Sequence, residues 1–278
     1  MKKTMFAILI IMLTAALVFP GNSELDKEKM AIRAAAMDYM DGAHDGDAAR
    51  IERSVHKELT KVSLQKLPNS DNTFIRKAGF SRLKELVRAD VVPLPKEKRN
   101  IRVEVFSVKK GLACAKAVSA QFYDYLQLAK IDGKWKLINV LFTGNSGEGE
   151  KTRTDHLMKN KEAIKQAALD YIEGFFSGDA GRVSRGVHPE LTKVYPLTLK
   201  KTGKTMLNTM GAGHLIEGAR MKMGLVKEED RNIKITVFDV MKDIAVVEVI
   251  SSQYVDYLQL GKVNGQWKII NVLWQMNK

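Results

Sequence analysis

One cysteine in 278 residues, Cys114, leaves no internal disulfide to form. It sits in the apolar run Leu112-Ala-Cys-Ala115 and reads as a small buried hydrophobe. Five histidines without close His/Cys spacing give no support to a metal site, so neither metal nor cofactor is expected. No Gly-x-Ser-x-Gly nucleophile elbow occurs. The string Thr202-Gly-Lys-Thr205 has Thr198 where a phosphate loop needs its first glycine. No tract interleaves basic residues with aromatics, so the formal net charge of +13 is not expected to mark a nucleic-acid binder.

The chain also lacks a comfortable membrane span. Its apolar run from Met5 to Phe19 is 15 residues, short of the roughly 20 that a spanning helix needs. Met1-Lys-Lys-Thr precedes the run and the small, polar Gly21-Asn-Ser23 follows it. Basic, then apolar, then small is the order of a secretory signal, expected over 1–23 with cleavage after Ser23. That segment would engage the membrane only during export. A periplasmic or secreted protein is expected, with an uncleaved N-terminal anchor as the alternative. Loss of Lys2 and Lys3 would leave +11, which suits anionic envelope surfaces or acidic ligands as readily as plain solubility.

What the chain does contain is itself, twice, at an offset of 132 residues. Asp38-Tyr39 returns as Asp170-Tyr171, Gly46-Asp47 as Gly178-Asp179, and His56 as His188. Glu58-Leu-Thr-Lys-Val62 returns as Glu190 to Val194, Asp124-Tyr-Leu-Gln-Leu128 as Asp256 to Leu260, and Asn139-Val-Leu141 as Asn271 to Leu273. A period this long is no solenoid repeat; each copy is a whole domain able to bury its own core. Copy one is expected over 24–143 and copy two over 160–278. The intervening 144–159, with Gly144-Asn-Ser-Gly-Glu-Gly149, reads as a flexible linker.

Each copy opens with apolar residues at helical spacing: Ile32, Ala35, Ala36, Tyr39 and Met40, then Ile164, Ala167, Ala168, Tyr171 and Ile172. Gly46 and Gly178 end that helix, and Asp47 and Asp179 can cap a short second one. Glu-Leu-Thr-Lys-Val reads as a strand. Thr73 to Val92, with Thr205 to Leu225, reads as a third helix. Three strands follow: Ile101–Val108, a long Leu112–Lys130 that bends or bulges, and Lys134–Phe142 after the Asp132-Gly133 hairpin turn. Copy two repeats them, with Asn264-Gly265 at the turn. The class is α+β, with three N-terminal helices packed on a curved, mainly antiparallel sheet.

This layout, with Asp124-Tyr-Leu-Gln-Leu-Ala-Lys-Ile-Asp-Gly-Lys-Trp-Lys-Leu-Ile-Asn139, closely resembles the nuclear transport factor 2-like (cystatin-like) superfamily. Within it, the chain resembles the branch labelled "putative lumazine-binding" domains. Copy two carries the resemblance through Asp170-Tyr-Ile-Glu-Gly174, Val187-His-Pro-Glu190 and Asp256 to Asn271. It implies two tandem cone-shaped half-barrels, each with an internal pocket, and a pairing of the copies through their open sheet faces as an intramolecular pseudo-dimer. In related families such a pocket hosts isomerases, dehydratases, small-ligand binders or protein contacts.

Alternation places Phe122, Asp124, Leu126 and Leu128 on one face of the long strand, and Trp135, Leu137, Asn139 and Leu141 on one face of the last. Asp124 and Asn139 are therefore expected to share a cavity closed by Tyr39, and Asp256 and Asn271 one closed by Tyr171. With Trp135 and Trp267 these are the candidate pocket residues. A lone carboxylate in an apolar cone has a raised pKa, as a general acid or base requires. The competing reading is structural, with Asp and Asn bonded to each other, to the tyrosine or to backbone. His56 and His188 are expected to cap backbone carbonyls or the preceding helix end. Met206, Met210, Met221 and Met223 favour copy two for an apolar ligand. The expected function is an exported, non-catalytic binding or interaction protein of the cell envelope, whose cones have room for a small apolar or aromatic ligand. The alternatives are a cofactor-independent isomerase or hydro-lyase using Asp124 or Asp256, and a contact module with filled cones.

Overall fold

A computed structural model describes residues 23–147 and 150–277. The expected signal segment lies outside the described residues except for Ser23, whose hydroxyl accepts the Asp26 amide at the start of α1 (Glu24–Asp45). Among the described residues no helix is long and apolar enough to cross a membrane.

Helix α1 buries Ile32, Ala36, Tyr39 and Met40 along one stripe. It stops where Gly46 takes the left-handed conformation (φ 68°), which costs a glycine nothing. The Asp47 carboxylate then accepts the amides of Ala49 and Arg50 and opens α2 (Ala48–Ser54). The chain continues through β1 (Val55–Lys66), β2 (Thr73–Ala78), α3 (Phe80–Arg88) and α4 (Lys96–Arg99). It closes the domain with β3 (Arg102–Lys109), β4 (Leu112–Val118), β5 (Phe122–Ile131) and β6 (Lys134–Gly144). Copy two repeats this as α5 (Glu150–Ser177), α6 (Ala180–Gly186), β7 (Val187–Thr198), β8 (Thr205–Gly211), α7 (Ala212–Arg220), β9 (Lys234–Met241), β10 (Ile244–Ile250), β11 (Tyr254–Val263) and β12 (Gln266–Met276). A single 3-10 turn, Glu228–Asp230, stands where copy one has α4.

Each copy folds one six-stranded sheet, in order β2-β1-β6-β5-β4-β3 and β8-β7-β12-β11-β10-β9. All pairings are antiparallel except β1 with β6 and β7 with β12. The helices cover one face, over a core of residues such as Tyr39, Leu126, Leu137 and Val140 in copy one and Tyr171, Leu258, Ile269 and Val272 in copy two. This is the expected α+β cone, twice.

Three expectations about elements need correction. The middle segment is not all helix: Thr73–Ala78 and Thr205–Gly211 are edge strands, and the third helix is only nine residues. Thr73-Phe-Ile-Arg-Lys-Ala alternates with Ile75 inward, a strand period that a mixed composition hides. The long strand is a hairpin rather than one bent strand. Its turn is set by Ser119 and Ser251, whose hydroxyls accept the amides of Phe122 and Tyr254. Residues Glu150–Lys159 of the expected flexible linker belong to α5, where Leu157 packs on the copy-two core.

The open sheet faces pack on one another around Leu112, Cys114, Tyr125, Ile138 and Leu141 from copy one and Ile244, Val246, Tyr257, Ile270 and Leu273 from copy two. The packing is reciprocal. Gln127 donates to the Tyr257 carbonyl at 2.7 Å and Gln259 to the Tyr125 carbonyl at 2.8 Å. The hairpin tips do the same, the Thr73 amide donating to Asn264 and the Thr205 amide to Asp132. Phe106 stacks on its own counterpart Phe238, centroids 5.1 Å apart, as residues beside a two-fold axis do. Two buried polar contacts break the symmetry. Lys116 meets Asp239 at 2.8 Å, and Glu248 accepts from Ser107 at 2.6 Å.

Candidate functional site

In each cone a tyrosine from the first helix, an aspartate from the fifth strand and a lysine from the first strand converge. The Tyr39 hydroxyl donates to Asp124 Oδ1 at 2.9 Å, while Lys61 Nζ reaches the same oxygen at 3.1 Å and also donates to the Tyr39 hydroxyl. In copy two Tyr171 donates to Asp256 Oδ1 at 2.7 Å, and Lys193 reaches the hydroxyl at 2.5 Å and Asp256 at 3.0 Å. Asp124 is 1 % exposed and Asp256 0 %. An aromatic ring covers each ammonium, Phe142 at 3.9 Å from Lys61 and Trp274 at 4.3 Å from Lys193.

The electrostatics follow from burial. Desolvation, then the adjacent carboxylate, pushes the Tyr39 and Tyr171 hydroxyls well above the ordinary tyrosine range. Desolvation also lowers Lys193, against the opposing pull of Asp256. The aspartates are not the lone carboxylates that the sequence pattern implies, because each stands beside a lysine. Their second oxygens, Asp124 Oδ2 and Asp256 Oδ2, are buried without a hydrogen-bond partner.

Of the eight candidate residues, Tyr39 with Asp124 and Tyr171 with Asp256 are brought together. Asn139 and Asn271 are not. A bulge pairs Gln127 with Asn139 but Leu128 with Leu137, leaving Ile138 extra, and β11–β12 repeats it at Ile270. The extra residue inverts the alternation, so Val140 faces the cone while Ile138 and Leu141 face the other copy. Asn139 consequently donates to Gln127 and Asn271 to Gln259, each at 2.8 Å, orienting the glutamines that bridge the copies. Trp135 and Trp267 pack in the cores with their indole N–H groups donating to Glu28 and Asn160, away from the tyrosines' cavities. His56 and His188 accept the amides of Glu58 and Glu190 through Nδ1, a cap on N–H rather than carbonyl groups.

The strand pattern does not single out Lys61 and Lys193, although Glu-Leu-Thr-Lys-Val is among the longest strings the copies share. A lysine on a strand reads as solvated until the sheet turns that face inward. Nor does the sequence mark His44, which has no counterpart histidine in copy two. It is buried in the copy-one cavity, its Nδ1 bonded to the Val92 carbonyl at 3.0 Å and its Nε2 without a partner. The carbonyl requires a proton on Nδ1, which in the neutral ring leaves Nε2 an open acceptor.

Above each cluster lies an apolar cavity, about 150 Å³ in copy one and about 100 Å³ in copy two. Met40, Leu83, Val87 and Phe122 wall the first; Ile172, Phe175, Leu215 and Trp274 wall the second. The larger cavity belongs to copy one. Of the methionines expected to favour copy two, Met206, Met221 and Met223 are exposed, and only Met210 and Met223 reach the copy-two cavity. Among the described residues no group of three His, Cys, Asp or Glu side chains is placed to hold a metal ion.

The family described as "Putative lumazine-binding" matches residues 27–143 and again 159–275. The chain belongs to this family, in two tandem copies. Solved structures similar to a single copy include a nuclear transport factor 2-like protein of unknown function from Silicibacter pomeroyi (18 % identity, 43 % of this chain and 98 % of that one, TM-score 0.36). A cystatin-like protein of unknown function from Nostoc punctiforme (15 %, 45 % and 94 %, 0.33) and a ketosteroid isomerase-like protein from Erwinia carotovora atroseptica (14 %, 44 % and 98 %, 0.30) are similar in the same sense. No curated protein matches. For this member of the lumazine-binding family, the Lys–Tyr–Asp cluster is the polar feature that both cones share.

Proposed function

We propose that the protein is an exported, non-catalytic binder of small, largely apolar molecules, working outside the cytoplasm with its two copies held as a pseudo-dimer. The observation that carries this reading is the closure of the cluster on itself. In both cones Oδ1 of the aspartate takes two donors and the tyrosine hydroxyl is used on both sides, so these groups form a polar floor beneath an apolar cavity. A hydroxyl held far above its ordinary pKa is a poor proton donor or acceptor near neutrality. A shaped apolar cavity with few polar groups is the usual form of a small-molecule site. The basic, apolar, small order at the N-terminus supports export.

Native mass spectrometry of the chain exported by a bacterial host and gently purified tests this. A retained small molecule is expected, with Ser23 absent from the mature N-terminus. Empty protein on repeated preparation would overturn the binding half, and recovery of the chain from the cytoplasm alone would overturn the export half.

A second reading is favoured by one observation, the unpartnered Asp124 Oδ2 and Asp256 Oδ2. A buried carboxylate with an oxygen to spare, beside a lysine, can act as a base toward a bound substrate. In that case Asp256→Asn abolishes turnover of whatever the cone retains, while leaving its binding in place.

A further inference from the structure

The copy-one cavity does not end at its apolar walls. Six of its residues, Lys61, Leu83, Leu86, Val91, Val92 and Phe142, also line an outer groove of about 320 Å³ between β1, β2 and α3. That groove holds Arg76 and Arg82, and among the described residues neither makes an ion pair or hydrogen bond. Lys61 lines both spaces, so a line of three cations runs from the cluster to the mouth. Leu86 and Val91, part of the shared wall, are 39 % and 56 % exposed, so solvent reaches both. At the inner end two buried acceptors, His44 Nε2 and Asp124 Oδ2, have no donor.

Copy two has the same backbone and a different lining. Arg76 is replaced by Asn208, Arg82 by His214 and Ser63 by Tyr195, whose hydroxyl accepts from Asn208 at 2.9 Å. His44 is replaced by Phe176. The two unpaired arginines and the buried imidazole belong to copy one; copy two has only the exposed His214 beside its cavity.

We propose that copy one binds an amphipathic organic acid: an apolar body of one or two rings in the cone, a hydroxyl or N–H at its inner end, and a carboxylate at the mouth. This rests on the binding reading above and adds the ligand's polarity and its choice of copy. The inner hydroxyl donates to His44 Nε2 or Asp124 Oδ2. The acid lies between Arg76 and Arg82, whose planar guanidinium groups suit a carboxylate. Copy two, with its smaller cone and with Asn208 and His214 in place of the arginines, is expected to take up neither a two-ring acid nor its neutral analogue.

Isothermal titration of the full chain with 6-hydroxy-2-naphthoate and with 2-naphthol tests the proposal, since the two share the ring body and hydroxyl and differ in the carboxylate. The acid is expected to bind one site per chain, about tenfold more tightly than the naphthol, the scale of one charge-assisted contact. In the Arg76→Gln/Arg82→Gln chain that difference should vanish while naphthol binding stays. Both arginines are exposed and unpaired, so an unchanged melting temperature serves as the folding control. Equal affinity for the two compounds, or a preference untouched by the double substitution, overturns this inference and leaves the binding reading standing. Binding of neither compound, with nothing retained in native mass spectra, removes both.

Discussion

The two copies solve one packing problem in two ways, and the difference lies around the cavity mouth. In copy one the segment after α3 is held by charge. Arg99 is buried, with its guanidinium on Asp41, Asp45 and the Leu94 carbonyl, while Arg50 ties Asp38, Asp41 and Asp45 together. In copy two Ser177 stands where Asp45 was, and the Arg231 guanidinium donates to the Val226 carbonyl, the counterpart of Leu94. Packing replaces the ions. Phe175 takes the place of Ala43, and its ring lies where a Cβ on Gly224 would come within 2.1 Å; copy one has Val92 at that position. Bulk has moved from the loop to the helix, and the copy-two cone is smaller for it. Like floors under differently built mouths imply that the cluster serves the fold or a shared ligand feature; under the proposed reading the mouths set selectivity.

The largest expected effect comes from the floor. Asp256→Leu leaves Lys193 buried without its carboxylate, at a cost of about 3–5 kcal/mol in urea unfolding. Asp124→Leu should cost less, because the Lys61 side chain is 15 % exposed against 7 % for Lys193 and can turn into the basic groove. Equal losses would show that the two floors are energetically alike. Next in size, Lys116→Glu sets a carboxylate among Glu104 and Asp239, for about 3 kcal/mol. Adding Asp239→Lys should recover part of it in a double-mutant cycle, as coupled neighbours do.

A smaller effect is expected at the mouth. Phe175→Ala should open the copy-two cone toward the volume of copy one and create a second naphthol site by titration. Its cost is about 2 kcal/mol, below the range for a fully buried aromatic. The smallest effect is common to both copies. Burial lowers the pKa of His56 and His188, and each Nδ1 accepts an amide that a protonated ring cannot. The unfolded chain therefore binds protons first. Stability from these groups is full above the ordinary histidine value of about 6.5 and falls as pH drops through it toward the folded pKa. Unfolding midpoints followed from pH 7.5 to 5 should show the slope, and His188→Gln should shallow it.

The repeat made the architecture legible, because two independent readings of each element agreed. Helix ends at Gly46 and Gly178 and the Asp-Gly and Asn-Gly turns were readable because their dihedrals demand those residues. What could not be read were features that a single dihedral or contact decides. One extra residue at Ile138 turns Asn139 from the cavity to the interface, and no composition marks it. Lys61 and Lys193 join the site only because β1 and β7 pair in parallel with the last strand, a contact between segments about 80 residues apart. The Thr73–Ala78 strand was hidden by its continuity with a true helix.

The buried contacts across the sheet faces carry a consequence for assembly. Position 116 and its counterpart 248 hold Lys and Glu; position 107 and its counterpart 239 hold Ser and Asp. Copy one facing another copy one would bury Lys116 opposite a serine, and copy two facing its twin would set Glu248 against Asp239. Each half is thus a poor mate for itself and a good mate for the other. An exchange of halves between two chains, however, would satisfy every one of these contacts. Covalent tethering of the two halves in one chain raises the effective concentration of the correct mate and so favours pairing within the chain.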